Sequence, residues 1–126
     1  MYEVGVVTQF EAAHRLQGDF GPATRLHGHT YRVEICVRGD GLRHDYTLLD
    51  LNRLQTAANQ VVGALQYQDL DTLEHFQGLN STGEVVARHI HRYMARSFRG
   101  QGLNTLSVRV WESPAVYVLY EAPLEM

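Results

Sequence analysis

The sequence has little of several features that mark specialised classes of protein. It contains a single cysteine, Cys36, so no disulfide framework can form within one chain. No apolar run approaches the roughly 20 residues that a membrane-spanning helix requires. The N-terminal residues MYEVGVVTQF lack a basic region followed by a long apolar stretch, so we expect no secretory signal peptide. These absences lead us to expect a protein of the reducing cytoplasm.

Strong net charge is also missing. The formal net charge of -3 provides no broad basic surface for nucleic acid or an anionic membrane, so we expect neither as a partner. With 44% hydrophobic and 20% charged residues, the composition is that of an ordinary globular domain. A length of 126 residues fits one domain, residues 1–126, and at this size oligomer formation would help stability.

Four segments have the composition or alternation of β-strands. Residues 2–10 are rich in β-branched and aromatic side chains, residues 106–110 alternate between apolar and polar, and residues 116–122 form a further run. Residues 29–38 alternate strictly, so one face of this strand should cover a core. The apolar positions on that face are Tyr31, Val33, Ile35 and Val37.

Two helices are predicted between the second and third strands. The first follows Asp50, a suitable N-cap, and the second follows Ser81, which with Glu84 predicts a capping box. Gly100 stands where a glycine typically ends a helix. The order ββααββ predicts an α+β fold, a four-stranded antiparallel sheet with two helices on one face.

Three of the seven histidines fall where the first two strands would meet. His27 and His29 are two residues apart in an extended segment, so their side chains should share a face. His14 follows the first strand, where a hairpin would bring it beside His27. Three imidazoles with an open fourth position are typical of a catalytic zinc site, and the alternative is that these histidines never meet. The other histidines are interpreted as structural or exposed: His44, His75, His89 and His91.

Several motifs, in order along the chain, resemble the 6-pyruvoyltetrahydropterin synthase and 6-carboxytetrahydropterin synthase family. FEAAHRL (10–16) and LHGHTYRVEI (26–35) resemble its two metal motifs, and LLDLNRL (48–54) resembles the aspartate before its first helix. NSTGEVVA (80–87) is similar to the start of its second helix, and VWES (110–113) to its pterin-anchor segment. The resemblance extends from residue 10 to residue 121, nearly the whole chain.

The resemblance implies a T-fold, whose subunits join their sheets into a barrel around a threefold axis. Two such trimers usually stack into a homohexamer with sites between subunits. By position, the zinc ligands would be His14, His27 and His29. Glu112 would hold the 2-amino group and ring N–H of a pterin, because one carboxylate can accept both donors, and Thr82 would contact the ring. Guanine-like and deazapurine rings present the same edge, so the ligand stays open. Without the family match, Glu112 would be interpreted as a solvated glutamate at a strand end.

The sequence departs from the family at the groups that carry its chemistry. Ala23 stands where the bacterial pattern has its catalytic cysteine, and Gly21 stands at the alternative, longer spacing. Gln66 and Tyr67 occupy the positions of the aspartate–histidine pair that activates the cysteine. Alanine cannot take a proton, glutamine is neutral, and tyrosine titrates near 10. We therefore expect neither standard synthase reaction.

Two classes of function remain open at this point. The first is an enzyme of unassigned reaction on a pterin-like substrate, in which zinc supports a lyase or hydrolase step. Its proton carrier would be Tyr67, Asp19 or His75, the titratable candidates that the sequence offers. The second is a non-catalytic module for ligand binding or assembly. A bound triphosphate would need cations, for which the candidates, otherwise ordinary surface residues, are Arg15, Arg25 and Arg43.

Overall fold

The computed structural model of this chain describes residues 1–125, and it has two α-helices on one face of a five-stranded sheet. The α+β class expected from the sequence is confirmed. The strands are β1 (Tyr2–His14), β2 (His27–Gly39), β3 (Gln68–Asp69), β4 (Thr105–Ser113) and β5 (Val116–Pro123). The helices are α1 (Leu51–Gly63) and α2 (Gly83–Phe98). None of the described helices is long and apolar enough to cross a membrane.

The expectation of four antiparallel strands is wrong by one strand. The order across the sheet is β3-β1-β2-β4-β5, and β3 pairs with β1 in parallel, which makes the sheet mixed. Just before β3, Tyr67 has a left-handed backbone with a φ of 58°, and its N–H donates to the Glu11 carbonyl at 2.6 Å. This bond holds the segment alongside β1. A strand of two residues is too short to produce a detectable alternation.

The first strand of the β1–β2 hairpin is longer than predicted. It continues to His14 instead of ending at Phe10, and the second strand begins at His27, as the spacing of the histidines predicts. Antiparallel pairing then sets His14 directly opposite His27, and Ala12 opposite His29. Residues opposite each other in such a pair have Cβ atoms about 5 Å apart, so strand register alone brings the three histidines together.

The core lies between the sheet and the helices, as the alternation in β2 predicts. The four apolar positions of β2 are each 0% exposed: Tyr31, Val33, Ile35 and Val37. The helices add buried side chains at helical spacing, among them Leu54, Ala58, Val61, Ile90 and Met94. This packing fixes the inner face of β2 toward the helices, and His27 and His29 belong to the same face.

The helix ends agree with the sequence except at the start of α2. Asp50 caps α1 by accepting hydrogen bonds from two backbone N–H groups, and Gly100, with a φ of 78°, follows the end of α2. The predicted Ser81 capping box is wrong, because the N-cap is Thr82, whose hydroxyl accepts from the Val85 N–H. Ser81 is instead fully buried one residue earlier. The shift matters because it leaves the Ser81 backbone beside the histidines.

Candidate functional site

The three histidines form one cluster at the end of the β1–β2 hairpin. Their ring centroids lie 4.6 Å apart for His14 and His27, 4.9 Å for His27 and His29, and 5.1 Å for His14 and His29. One ligand nitrogen from each ring lies within 4.8 Å of the other two. Zinc takes imidazole nitrogens at about 2.0–2.1 Å, so three nitrogens this close to one another can serve one ion. The alternative, in which the histidines never meet, is therefore wrong.

Backbone carbonyls fix the orientation of two of the rings. His14 Nδ1 lies 2.7 Å from the Ser81 carbonyl oxygen, and His27 Nδ1 lies 2.8 Å from that of Arg25. Because a carbonyl can only accept, each Nδ1 carries a proton, and in the neutral ring the lone pair is then on Nε2. Metal-ligating histidines are typically held in this way.

Two of the candidate ligand nitrogens also lack a hydrogen-bond partner in the described part of the chain. The Nε2 atoms of His14 and His29 are buried, and neither has a hydrogen-bond partner within residues 1–125. A buried polar atom without a partner costs about 1–3 kcal/mol. Burial also lowers the pKa of His29, against the opposing charge of Glu112, which favours the neutral imidazole that a metal binds. The residues therefore fit a zinc ion.

Glu112 completes the site from the end of β4. Its carboxylate oxygen Oε2 lies 4.0 Å from His29 Nε2, and its side chain is 27% exposed. The carboxylate also lies against the N-terminus of α2, where the helix dipole favours negative charge. A Cβ built on Gly83 would be 2.5 Å from Glu112 Oε1, so any larger residue at the first position of α2 would displace the carboxylate. Thr82 directly precedes Gly83 in the chain.

Two of the three positions that the sequence analysis matched to the family's triad, those of Ala23 and Gln66, serve local structure. Ala23 lies in a short 3-10 helix, Gly21–Thr24, and its carbonyl accepts from the Leu16 N–H. Gln66 is tied to β1: its Oε1 accepts from the Glu11 N–H at 2.9 Å, and its Nε2 donates to the Glu11 carboxylate at 3.2 Å. Its amide therefore performs a structural task.

Tyr67 has a different environment from Gln66. Its side chain is 79% exposed and lines an open cavity of about 450 Å³ together with Glu11, Gly28 and His29. The cavity thus brings two titratable side chains, Tyr67 and Glu11, to the same strand ends as His29. The sequence reasoning overlooked Glu11, although it lies inside the FEAAH motif.

The remaining candidates do not converge on the cluster. The rings of His75 and His89 lie 4.9 Å apart in the lining of a different cavity, so His75 is not brought to the cluster within this chain. Asp19 is exposed in the loop after β1. Arg43 bonds Thr47 and Asp45 within its own loop, while Arg15 and Arg25 have exposed side chains.

Sequence reasoning also missed Tyr31 as a neighbour of the cluster. Its ring lies 5.3 Å from that of His29, and its buried hydroxyl has no partner within residues 1–125. Burial raises the pKa of Tyr31, aided by the charges of Glu112 and Asp71, so the hydroxyl keeps its proton. A hydroxyl in an otherwise apolar alternating row was the signal that could have revealed it.

Comparison with known proteins agrees with this architecture. The chain is 26% identical over 143 residues to a 6-carboxy-5,6,7,8-tetrahydropterin synthase of Haemophilus influenzae, covering 96% of this chain and 99% of the relative. It is 30% identical over 128 residues to the 6-pyruvoyl tetrahydrobiopterin synthase of Drosophila melanogaster, covering 90% and 76%.

Solved structures share the fold. The Caenorhabditis elegans 6-pyruvoyl tetrahydropterin synthase superposes with a TM-score of 0.82 at 24% identity, over 96% of this chain and 95% of that one. This match confirms the expected T-fold. The family model described as 6-pyruvoyl tetrahydropterin synthase matches residues 3–123, and the chain therefore belongs to that family.

Proposed function

We propose that this protein binds a pterin-like bicycle at Glu112, beside a zinc ion held by His14, His27 and His29. The observation that carries the proposal is the pair of Nδ1–carbonyl hydrogen bonds, which direct the Nε2 atoms of His14 and His27 as ligands require. When bound, zinc would supply a Lewis acid beside the ring. The three histidines would hold it, with His14 buried and His29 lining the open cavity.

The anchor is Glu112, with Thr82 as its neighbour. A 2-aminopyrimidinone edge offers two adjacent donors, and the two carboxylate oxygens accept both in a charge-assisted pair. Apart from His29, no charged group within residues 1–125 forms an ion pair with Glu112, so its oxygens are available. The relatives named above are synthases of tetrahydropterins, which supports a pterin. Guanine-like and deazapurine rings share the edge and belong in the same test.

The protein is further proposed to act as a cytoplasmic homohexamer, a dimer of trimers with sites at subunit interfaces. The helix-free sheet face supports assembly. The tilted rings of Trp111 and Tyr117 lie 4.7 Å apart there, and the Arg109 guanidinium lies 4.4 Å from the Tyr117 ring centroid. At the edge strand β5, Val116, Tyr117 and Leu119 are each at least 45% exposed. Exposed apolar groups on a strand edge favour pairing with another copy.

The reaction is proposed to differ from that of the named synthases, because Ala23, Gln66 and Tyr67 replace the triad. We favour an enzyme of unassigned reaction, since Tyr67 and Glu11 line one cavity with His29 and could move a proton there. The second candidate is a non-catalytic binding or assembly module. The hydrogen bonds of Gln66 to Glu11 favour this module. Through these bonds, the residue at the position where the family would orient its base instead joins two segments of the fold.

One experiment separates the two candidates. Purified protein supplied with zinc is incubated with 7,8-dihydroneopterin triphosphate, other pterins and deazapurines, and products are followed by chromatography. We expect no 6-pyruvoyl- or 6-carboxytetrahydropterin, and turnover of another substrate that falls by about 100-fold in Tyr67→Phe if Tyr67 carries the proton. Multiple turnovers to either standard product would reject the account of the triad. Ligand-induced stabilisation without any turnover would establish the module.

The Gly83 contact gives a second, independent test of the anchor. In Gly83→Ala the new methyl group would meet Glu112 Oε1 and, at 3.0 Å, Val118. We expect dihydropterin affinity to fall by about tenfold, because the carboxylate must move, while the melting temperature changes little. Gly63→Ala is the matched control, since nothing lies within 4 Å of a Cβ there. Equal affinities for the two variants would show that Gly83 does not position Glu112.

A further inference from the structure

A second cavity lies between the two helices, and it shares no lining residue with the histidine site. It has a volume of about 560 Å³ and is lined by the end of α1, by residues 73–79 and by one side of α2. We call it the arginine groove, after Arg88, Arg92 and Arg96, which line it. Its volume is in the range of small-molecule sites, about 300–1,000 Å³.

The three arginines are a row of unpaired cations. They are spaced four residues apart, so they lie on one side of α2 and extend over about 12 Å of the helix. No carboxylate oxygen within residues 1–125 lies within 4.0 Å of any of the three guanidinium groups. Glu74 is the one carboxylate in the described lining. In a chain of net charge -3, such a local excess of positive charge favours binding of an anion.

Apart from Glu74, the rest of the groove is lined by apolar side chains and by rings. Val61 and Leu65 are nearly fully buried, and Leu73 and Val85 pack against the core beside them. The rings of His75 and His89 lie 4.9 Å apart, and the Tyr93 hydroxyl donates to Gln60 Oε1 at 3.1 Å, which holds that ring in place. Burial lowers the pKa of His89, with the charges of His75 and two arginines adding to it, so this ring is a neutral flat surface.

We propose that the arginine groove binds a nucleotide-like organic phosphate, with its phosphates on the arginine row and its heterocycle against the rings. Guanidinium forks bind phosphate oxygens in pairs, and flat rings favour stacking of a heterocycle. Arginines that only faced solvent would not require apolar side chains and rings beside them. A second copy of this chain would use the same charges, and light scattering on the double variant Arg92→Gln/Arg96→Gln separates it from a bound phosphate.

Adenosine diphosphate is the probe, because adenine lacks the adjacent donor pair that Glu112 recognises. Calorimetry on the whole protein should give saturable binding, with adenosine and inorganic pyrophosphate each at least about tenfold weaker. The double variant Arg92→Gln/Arg96→Gln should weaken binding by about 100-fold, or tenfold per lost contact. Arg99→Gln, the next arginine along the chain and outside the lining, is the matched control and should leave affinity unchanged.

Glu112→Ala should also leave adenosine diphosphate binding unchanged, so failure of this site and failure of the proposed function are distinguishable. The proposal is overturned by absent binding, by equal affinity in the double variant, or by loss of binding in Glu112→Ala. Pyrophosphate binding as tight as adenosine diphosphate would overturn the role of the rings. A change of oligomeric mass in the double variant, measured by light scattering, would assign the groove to a second copy instead.

Discussion

Replacing Glu112 with alanine is expected to weaken dihydropterin binding by about 100-fold or more, since two charge-assisted hydrogen bonds are lost together. The donors of the ligand edge would then face the α2 N-terminus, where the neighbouring backbone groups are themselves donors. Glu112→Gln should be intermediate, because its amide keeps one acceptor but sets a donor against a donor. Calorimetry or fluorescence titration with 7,8-dihydroneopterin measures each affinity.

A matched control for Glu112 is available on the other side of the sheet. Glu121→Ala removes an exposed carboxylate from β5, and it should leave the ligand affinity within about twofold of the parent protein. Thermal melts of both variants check that the fold persists. An unchanged affinity in Glu112→Ala would remove Glu112 from the binding site, whatever the outcome for zinc.

Replacing His27 with alanine is expected to weaken zinc binding by more than about 100-fold. Loss of a ligand should cost more than loss of a group that only orients one, which already lowers metal affinity by about 10–100-fold. The side chain of His27 is only partly buried, so its removal should disturb the fold less than removal of the buried His14. A chromophoric chelator in competition with the protein measures the affinity.

His44→Ala serves as the control for the histidine substitution. His44 is exposed in the loop after β2, and zinc affinity should be unchanged in this variant. If His27→Ala and His44→Ala bind zinc equally well, the cluster is not the metal site. A Glu112→Ala protein that still binds zinc would show that metal and ring are held by separate groups.

Periodicity predicted most of the fold because one face of each long element is buried. The alternation in β2 and the helical spacing in α1 and α2 need no knowledge of the partners they pack against. Strand β3 could not be predicted, since it depends on the bond from Tyr67 to Glu11, between residues far apart in the chain. The start of α2 was misassigned because Ser81 and Thr82 are both competent caps, and only tertiary packing buries one of them.

The three histidines of the candidate site could be predicted from the sequence. The groups that orient them could not. Spacing and hairpin geometry already brought His14, His27 and His29 together. Their orienting partners are backbone carbonyls, which leave no trace in residue identity. The contact between Glu112 and Gly83 joins the end of β4 to the start of α2, so it exists only once both have packed. The same holds for Gln66, whose partner Glu11 lies 55 residues away.

The most direct test is diffraction at the zinc absorption edge from crystals of untagged protein, grown without chelator and with a dihydropterin. We predict one anomalous peak per chain, about 2.0–2.1 Å from the Nε2 atoms of His14, His27 and His29. The same map should show the amino edge of the ring on the Glu112 carboxylate. A map with no peak among the three histidines, or with the ring held away from Glu112, would contradict the proposed site.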